Sequence, residues 1–402
     1  VYNDGRINDF NIDAAGNLTA ESTLYNSGTG SIQAPNFTRR MNITSNNGYG
    51  IHNAGIFSIN SILYKKMDAE LTIEDNEGSE IINDGYFSFN KMWVDIGTIE
   101  KENVRSVTNN KQFSLSDCVG TITSSADYTI CNSDTLKISG NGENFSNKLN
   151  ITSQKNKGTV IYNGKNATAD VSDIVYVAPV YKSSTAYVEK GIQNDGKLSF
   201  AGTVNGNVMY DRKIYYGIVN DGTINTNSGI ISYCSTGIQN NDTIEKQSGK
   251  LSSNSTGLLN NKKVNSMLGE VIANGTGIIN NSGASIDSLN ANVSNSISRG
   301  IFNAGDISVQ GASVSDNGSS NTNGSAIYVV GKGFVSIEDG TITANKGANG
   351  SIYIENGGTV LMNKGQIYNN TVSNGGGVYI CKGGSFTQLG GSITENTATN
   401  GK

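Results

Sequence analysis

The chain has 402 residues with 50 glycines, 2 prolines, one tryptophan, one histidine and four cysteines, a net charge of −5 and a charged fraction of 16 %. Its basic residues form no cluster beyond the isolated pairs Arg39-Arg40 and Lys65-Lys66, which argues against a nucleic-acid partner. No apolar run approaches the ~18 residues that a membrane-spanning helix needs, and the even recurrence of Ile, Val, Leu, Tyr and Phe argues against disorder.

The predicted elements are strands of three to five residues ended by turn residues, too short to be stable unless stacked on copies of themselves. Residues 1–100 read as irregular coils and 101–190 as degenerate coils with longer loops. Residues 191–402 read as regular coils. One unit is Gly-Ile-x-Asn, as at Gly191-Ile192-Gln193-Asn194 and Gly217-Ile218-Val219-Asn220. Its leading glycines fall at 191, 217, 237, 257, 277 and 300. A second unit, Gly-x-Ile/Leu/Val, is followed three residues after the aliphatic by Asn254, Asn274, Asn317, Asn345, Asn370 or Asn396. A repeat of about 20–27 residues with such strands predicts an all-β chain, a right-handed single-stranded parallel β-helix continuous over 1–402 and truncated at both ends.

The columns of this repeat carry the physics. The first holds Val1, Leu24, Ile51, Ile81, Ile161, Ile192, Ile218, Ile238, Leu258, Ile278, Ile301, Ile327, Ile352 and Val378 and faces inward, because it has no polar member. The next must face outward. It is mixed, with Tyr25, His52, Gln193, Val219, Leu259 and Ile279 among its members. The third is Asn3, Asn26, Asn53, Asn83, Asn163, Asn194, Asn220, Asn240, Asn260, Asn280 and Asn303. A carboxamide both donates and accepts, so this column reads as an internal asparagine ladder.

The chemistry-bearing residues point away from catalysis, and no catalytic residue is assigned. There is no Asp-Asp pair, and no Gly-x-Ser-x-Gly elbow accompanies His52, which reads as a solvated surface imidazole. The acidic stretch Asp68, Glu70, Glu74, Asp75 and Glu77 reads as a solvated loop, with a weak calcium site as the sharper alternative; no other cofactor or metal is implied. Cys118 and Cys131 are close enough in sequence for a disulfide, and two buried thiols are the other reading. More than a dozen Asn-x-Ser/Thr sequons, Asn36, Asn144, Asn254 and Asn274 among them, follow from composition. Tyr328, Tyr353 and Tyr379 are equivalent outward positions, expected about 4.8 Å apart per coil. They read either as a binding face for sugar or protein or as a ladder that shields the sheet.

From about residue 326 the style changes: Val329, Ile354 and Ile380 replace Asn, and the turns become Gly357-Gly358 and Gly383-Gly384. The run Gly375-Gly376-Gly377-Val378-Tyr379-Ile380, followed by Gly383-Gly384-Ser385-Phe386 and Gly390-Gly391-Ser392-Ile393-Thr394-Glu395-Asn396, resembles the repeats of bacterial surface proteins with right-handed β-helices. These are the polymorphic membrane proteins and autotransporter passenger domains. The resemblance covers the last third well and the rest by pattern. It implies an extracellular or cell-surface scaffold or adhesin. Its partner would be a glycan or protein of a host or neighbouring cell, with no membrane insertion by this segment. Two other functions fit the same fold: a polysaccharide lyase or glycoside hydrolase, and a subunit of an oligomeric spike or fibre.

Overall fold

The computed structural model describes residues 1–8, 13–15, 22–37, 40–44, 48–61, 70–74, 79–97, 104–140, 149–172, 175–179, 187–206 and 214–400. Among them the regular elements are all β-strands, and stacked strands run parallel, so the fold is a parallel β-solenoid. The chain divides into two compact units, Val1–Tyr215 and Tyr216–Lys402.

In the first unit Leu24, Ile51, Ile81, Ile161 and Ile192 lie in one register, as their spacing predicts, and each is fully buried. Val107 and Ile130 continue this column between Ile81 and Ile161. Residues 104–140 are therefore stacked coils, although they lack the Gly-Ile signature. The strands that follow each first strand stack the same way and bury Phe57, Phe87 and Phe113, whose rings lie face to face at centroid distances of 4.9 Å.

In the second unit Ile218, Ile238, Leu258, Ile278, Ile301, Ile327 and Ile352 form the equivalent column, buried throughout. The first and last members of the aliphatic set differ: Val1 is exposed and Val378 half-buried. Outward alternation also has two departures, since Gln193 and Val219 are buried.

The asparagine ladder is present in both units. Asn3, Asn26, Asn53, Asn83, Asn109, Asn132, Asn163 and Asn194 are joined in that order, each Nδ2 donating to the next Oδ1 at 2.7–2.9 Å. Asn220, Asn240, Asn260, Asn280 and Asn303 repeat the pattern at 2.8 Å. Most Nδ2 groups also cap backbone carbonyls of their own turn and of the next coil, as Asn240 does with Asp242 O at 3.0 Å and Lys263 O at 2.9 Å. The buried carboxamides of the ladder are thereby joined to partners on both sides.

A second ladder runs along another turn of the second unit. Asn254 Nδ2 donates to Asn274 Oδ1 at 3.2 Å, and Asn317, Asn345, Asn370 and Asn396 are linked at 2.8–3.1 Å. The residue before each rung is left-handed and is not glycine: Ser253, Ala273, Asp316, Ala344, Asn369 and Glu395 have φ of 54–57°. That turn aims the following amide into the core, where its Oδ1 also receives the backbone N–H of the coil before, as Asn254 N does with Asn274 Oδ1 at 2.9 Å. At another corner glycine is required by close approach. A Cβ on Gly269 would lie 1.9 Å from Gly249 O, and one on Gly249 would lie 2.0 Å from Gly229 O.

Candidate binding face

The outward column of the second unit is one continuous stripe. Register places Val219, Gln239, Leu259, Ile279, Phe302, Tyr328, Tyr353 and Tyr379 side by side on successive coils. Alternation along each strand puts these side chains on the face opposite the buried aliphatics.

The three tyrosines stand where their spacing predicts, and Phe302 extends their row. Ring centroids are 5.5 Å apart for Phe302–Tyr328, 5.2 Å for Tyr328–Tyr353 and 5.3 Å for Tyr353–Tyr379, with interplanar angles of 9–13°. The ring faces cover one another, so the outside meets ring edges and hydroxyl ends. The hydroxyls are partly engaged: Tyr328 donates to a Glu355 carboxylate oxygen, and the Cys381 thiol donates to Tyr353 Oη at 3.0 Å. Burial, with the Glu355 carboxylate adding to it, pushes the Tyr328 phenol up to about 12, against an opposing pull from Arg299. The neighbouring Cys381, then burial, holds the Tyr353 phenol above its ordinary value.

Arg299 closes one side of the row. Its guanidinium carbon sits 4.5 Å from the Tyr328 ring centroid and 5.8 Å from that of Phe302, a cation–π arrangement. Among the described residues it has neither an ion pair nor a hydrogen bond, and its Nε is buried without a partner. Burial lowers its pKa from the ordinary arginine value. It is a half-buried cation with unspent donors, held against aromatic rings. On the other side an exposed amide ladder runs parallel to the stripe: Asn241 donates to Asp221 at 2.7 Å, Asn261 to Asn241 at 2.6 Å and Asn281 to Asn261 at 2.6 Å.

No known protein family matches the chain, nor does any curated protein or solved structure.

The remaining sequence candidates fall elsewhere. His52 is not a solvated imidazole. Its Nε2 lies 2.8 Å from Asp84 Oδ2, its side chain is only 19 % exposed, and Tyr25 and Tyr49 meet it edge-on at 4.9 and 6.1 Å. Asp84 comes from the next coil, at the turn position that Asp221 and Asn241 occupy in the second unit, and its other oxygen accepts from Asn110 at 2.8 Å.

The four cysteines are free thiols. Cys118 points into the core, with Sγ near Ser116 O and Phe89 O, whereas Cys131 occupies the outward column between Thr108 and Tyr162, so the two side chains face opposite ways. Of the acidic stretch, Glu74 is exposed, while Asp68, Asp75, Glu77 and the side chain of Glu70 lie outside the described residues. Among the described residues no group of three or more His, Cys, Asp or Glu is placed to hold a metal ion. The sequon residues Asn254 and Asn274 are buried rungs of the second ladder, Asn36 is exposed, and Asn144 lies outside the described residues.

Proposed function

We propose that this chain is a non-catalytic extracellular scaffold, an adhesin whose stripe from Gln239 to Tyr379 docks a protein on a host or neighbouring-cell surface. The observation that carries this is the composition of the stripe: an apolar and aromatic centre, rimmed by Arg299 with its unspent donors and by the Asp221–Asn281 amide ladder. Apolar centres with polar rims, enriched in Tyr, Phe and Arg, are the anatomy of protein interfaces. Six steps of about 4.8 Å make the stripe about 29 Å long, enough for a standard contact. The likeness of the last third to bacterial surface β-helices supports a cell-surface location.

An elongated glycan is the second reading, favoured by the exposed amide ladder beside the stripe, whose carboxamides both donate and accept as sugar hydroxyls do. It is the weaker one, because sugars stack on ring faces and these faces are covered by one another.

The test replaces Tyr328, Tyr353 and Tyr379 together by Ser and, separately, Arg299 by Gln. Binding to whole cells is then measured before and after protease or glycosidase treatment of those cells. Loss of binding by both variants, with a β-rich circular dichroism spectrum retained and with protease treatment also abolishing the parent's binding, is the expected result. A triple variant that binds as well as the parent makes the row a purely structural ladder and ends the proposal.

A further inference from the structure

The first unit carries a cleft that none of the sequence patterns marks. It has a volume of about 510 Å³ and opens on the outer side of the second strands, where Arg6, Gln33, Ser58 and Tyr86 come from successive coils. Its wall is made by the strand Ser31–Phe37. The register of that strand with Ile56–Ser61 shifts between Ala34 and Phe37, and Pro35 and Asn36 turn outward to form a rim. The size is that of a small-molecule site.

The lining is unusual for this protein. Where most buried carboxamides are spent in ladders, Gln33, Asn36 and Asn60 converge on the cleft with no side-chain hydrogen-bond partner among the described residues. Asn8 joins them and accepts from Arg6 Nε at 3.1 Å, a contact that orients the guanidinium and leaves its terminal nitrogens free. Among the described residues Arg6 has no ion pair and no carboxylate lines the cleft. Ile56 and Tyr86, paired across adjacent coils and 43 % and 39 % exposed, form an apolar lip.

We infer that this cleft binds an acidic sugar, a hexuronate unit of an oligosaccharide. A carboxamide offers a donor and an acceptor together, which suits a hydroxyl that does both; a cluster of them suits a polyol. The apolar lip suits the C–H side of a pyranose. The unpaired guanidinium suits one carboxylate, held through paired N–H groups. A peptide carboxylate would use the arginine but leave the amides idle. This site is separate from the tyrosine stripe and does not depend on the reading given to it.

The test uses the whole chain and isothermal titration with hexuronate disaccharides of the gluco, galacto, manno and gulo series, each beside the neutral disaccharide of the same linkage. At least one acidic sugar should bind, with its neutral counterpart at least tenfold weaker. Arg6→Gln should weaken the acidic sugar about tenfold to a hundredfold, the range of charge-assisted hydrogen bonds, and abolish the preference. Asn36→Asp, a near-isosteric change at the exposed rim, removes a donor and adds a like charge, so it should weaken the acidic sugar by a larger factor than its neutral counterpart. The Tyr328, Tyr353, Tyr379 triple variant should bind these sugars like the parent. The inference is overturned if no hexuronate binds, if acidic and neutral sugars bind alike, if Arg6→Gln changes nothing, or if a peptide with a free C-terminal carboxylate competes at the same concentration.

Discussion

Replacing Asn240 tests whether the internal ladder is held by hydrogen-bond direction or merely by shape. The side chain is fully buried; its Nδ2 donates to Asn260 Oδ1, Asp242 O and Lys263 O, and its Oδ1 accepts from Asn220 Nδ2. Leucine fills similar space and supplies none of this. Asn220 Nδ2 keeps Gly222 O at 3.1 Å and Thr243 O at 3.0 Å, so its loss is partial. Asn260 Oδ1 is left with only the long contact from Lys262 N at 3.4 Å. One acceptor nearly orphaned in a dry core, with a weakened donor above it, costs about 2–3 kcal/mol. Aspartate has the same shape but turns the donor into an acceptor facing three other acceptors, and buries a charge; its cost should be larger, about 3–5 kcal/mol. Urea unfolding followed by circular dichroism at neutral pH measures both. A leucine variant within 0.5 kcal/mol of the parent, or an aspartate variant no worse than leucine, would refute the reasoning; the 0.5 kcal/mol bound is about the scatter of ordinary surface substitutions.

Three further outcomes are expected. Gly269→Ala places a Cβ 1.9 Å from Gly249 O, so the same unfolding experiment should show a loss of about 1–3 kcal/mol or more, where an unconstrained glycine would show a gain. Thiol labelling of the native protein at pH 8 followed by mass spectrometry should modify half-buried Cys131 and Cys381 first. Cys118, fully buried and with its thiol pushed up to about 12 by that burial, should react only after unfolding. Burial, together with hydrogen bonds to Asp195 and Glu355, lifts Tyr162 and Tyr328 from 10.0 to about 12. A raised folded value favours the protonated phenol, so their contribution is full below pH 10 and is lost as pH rises to about 12; absorbance at alkaline pH should show them ionising after the exposed tyrosines, and early ionisation would contradict the contacts described.

The parts of the fold that a single column can express were legible. Ile or Leu recurring before Asn gave both the buried aliphatic row and the ladder, because each position has one requirement and few residues meet it. Val107, Ile130, Asn109 and Asn132 escaped because no glycine marks either end of their strands: Ser106 and Thr129 stand before the aliphatic, and Lys111 and Asp134 stand at the turn where Gly28, Gly55 and Gly85 mark other coils. The second set of asparagines was visible as a recurrence, but its role depends on a left-handed residue before each rung. That position is filled by Ser253, Ala273, Asp316, Asn369 and Glu395, which share no side-chain property. The partnership of His52 with Asp84 was hidden for a different reason. The two are 32 residues apart, and only the coil-to-coil phase brings them together. The tyrosine row was placed correctly, yet the covering of each ring by the next is a matter of rotamer, which spacing does not encode. The Arg6 cleft arises from a local register shift at Ala34–Phe37, and nothing in a periodic pattern announces where the period slips.

The ladder separates the length of a coil from its closure. Asn220 and Asn240 are 20 residues apart and Asn132 and Asn163 are 31 apart, yet both pairs meet at 2.8 Å. The longer chain between Asn132 and Asn163 leaves the rung undisturbed. Each corner is therefore an insertion point whose occupant is independent of its neighbours, and the height of that point along the axis is set by counting coils. Each unit built this way can acquire, exchange or discard surface segments one at a time while its own stack of coils keeps its spacing, which makes it a display rack with addresses about 4.8 Å apart.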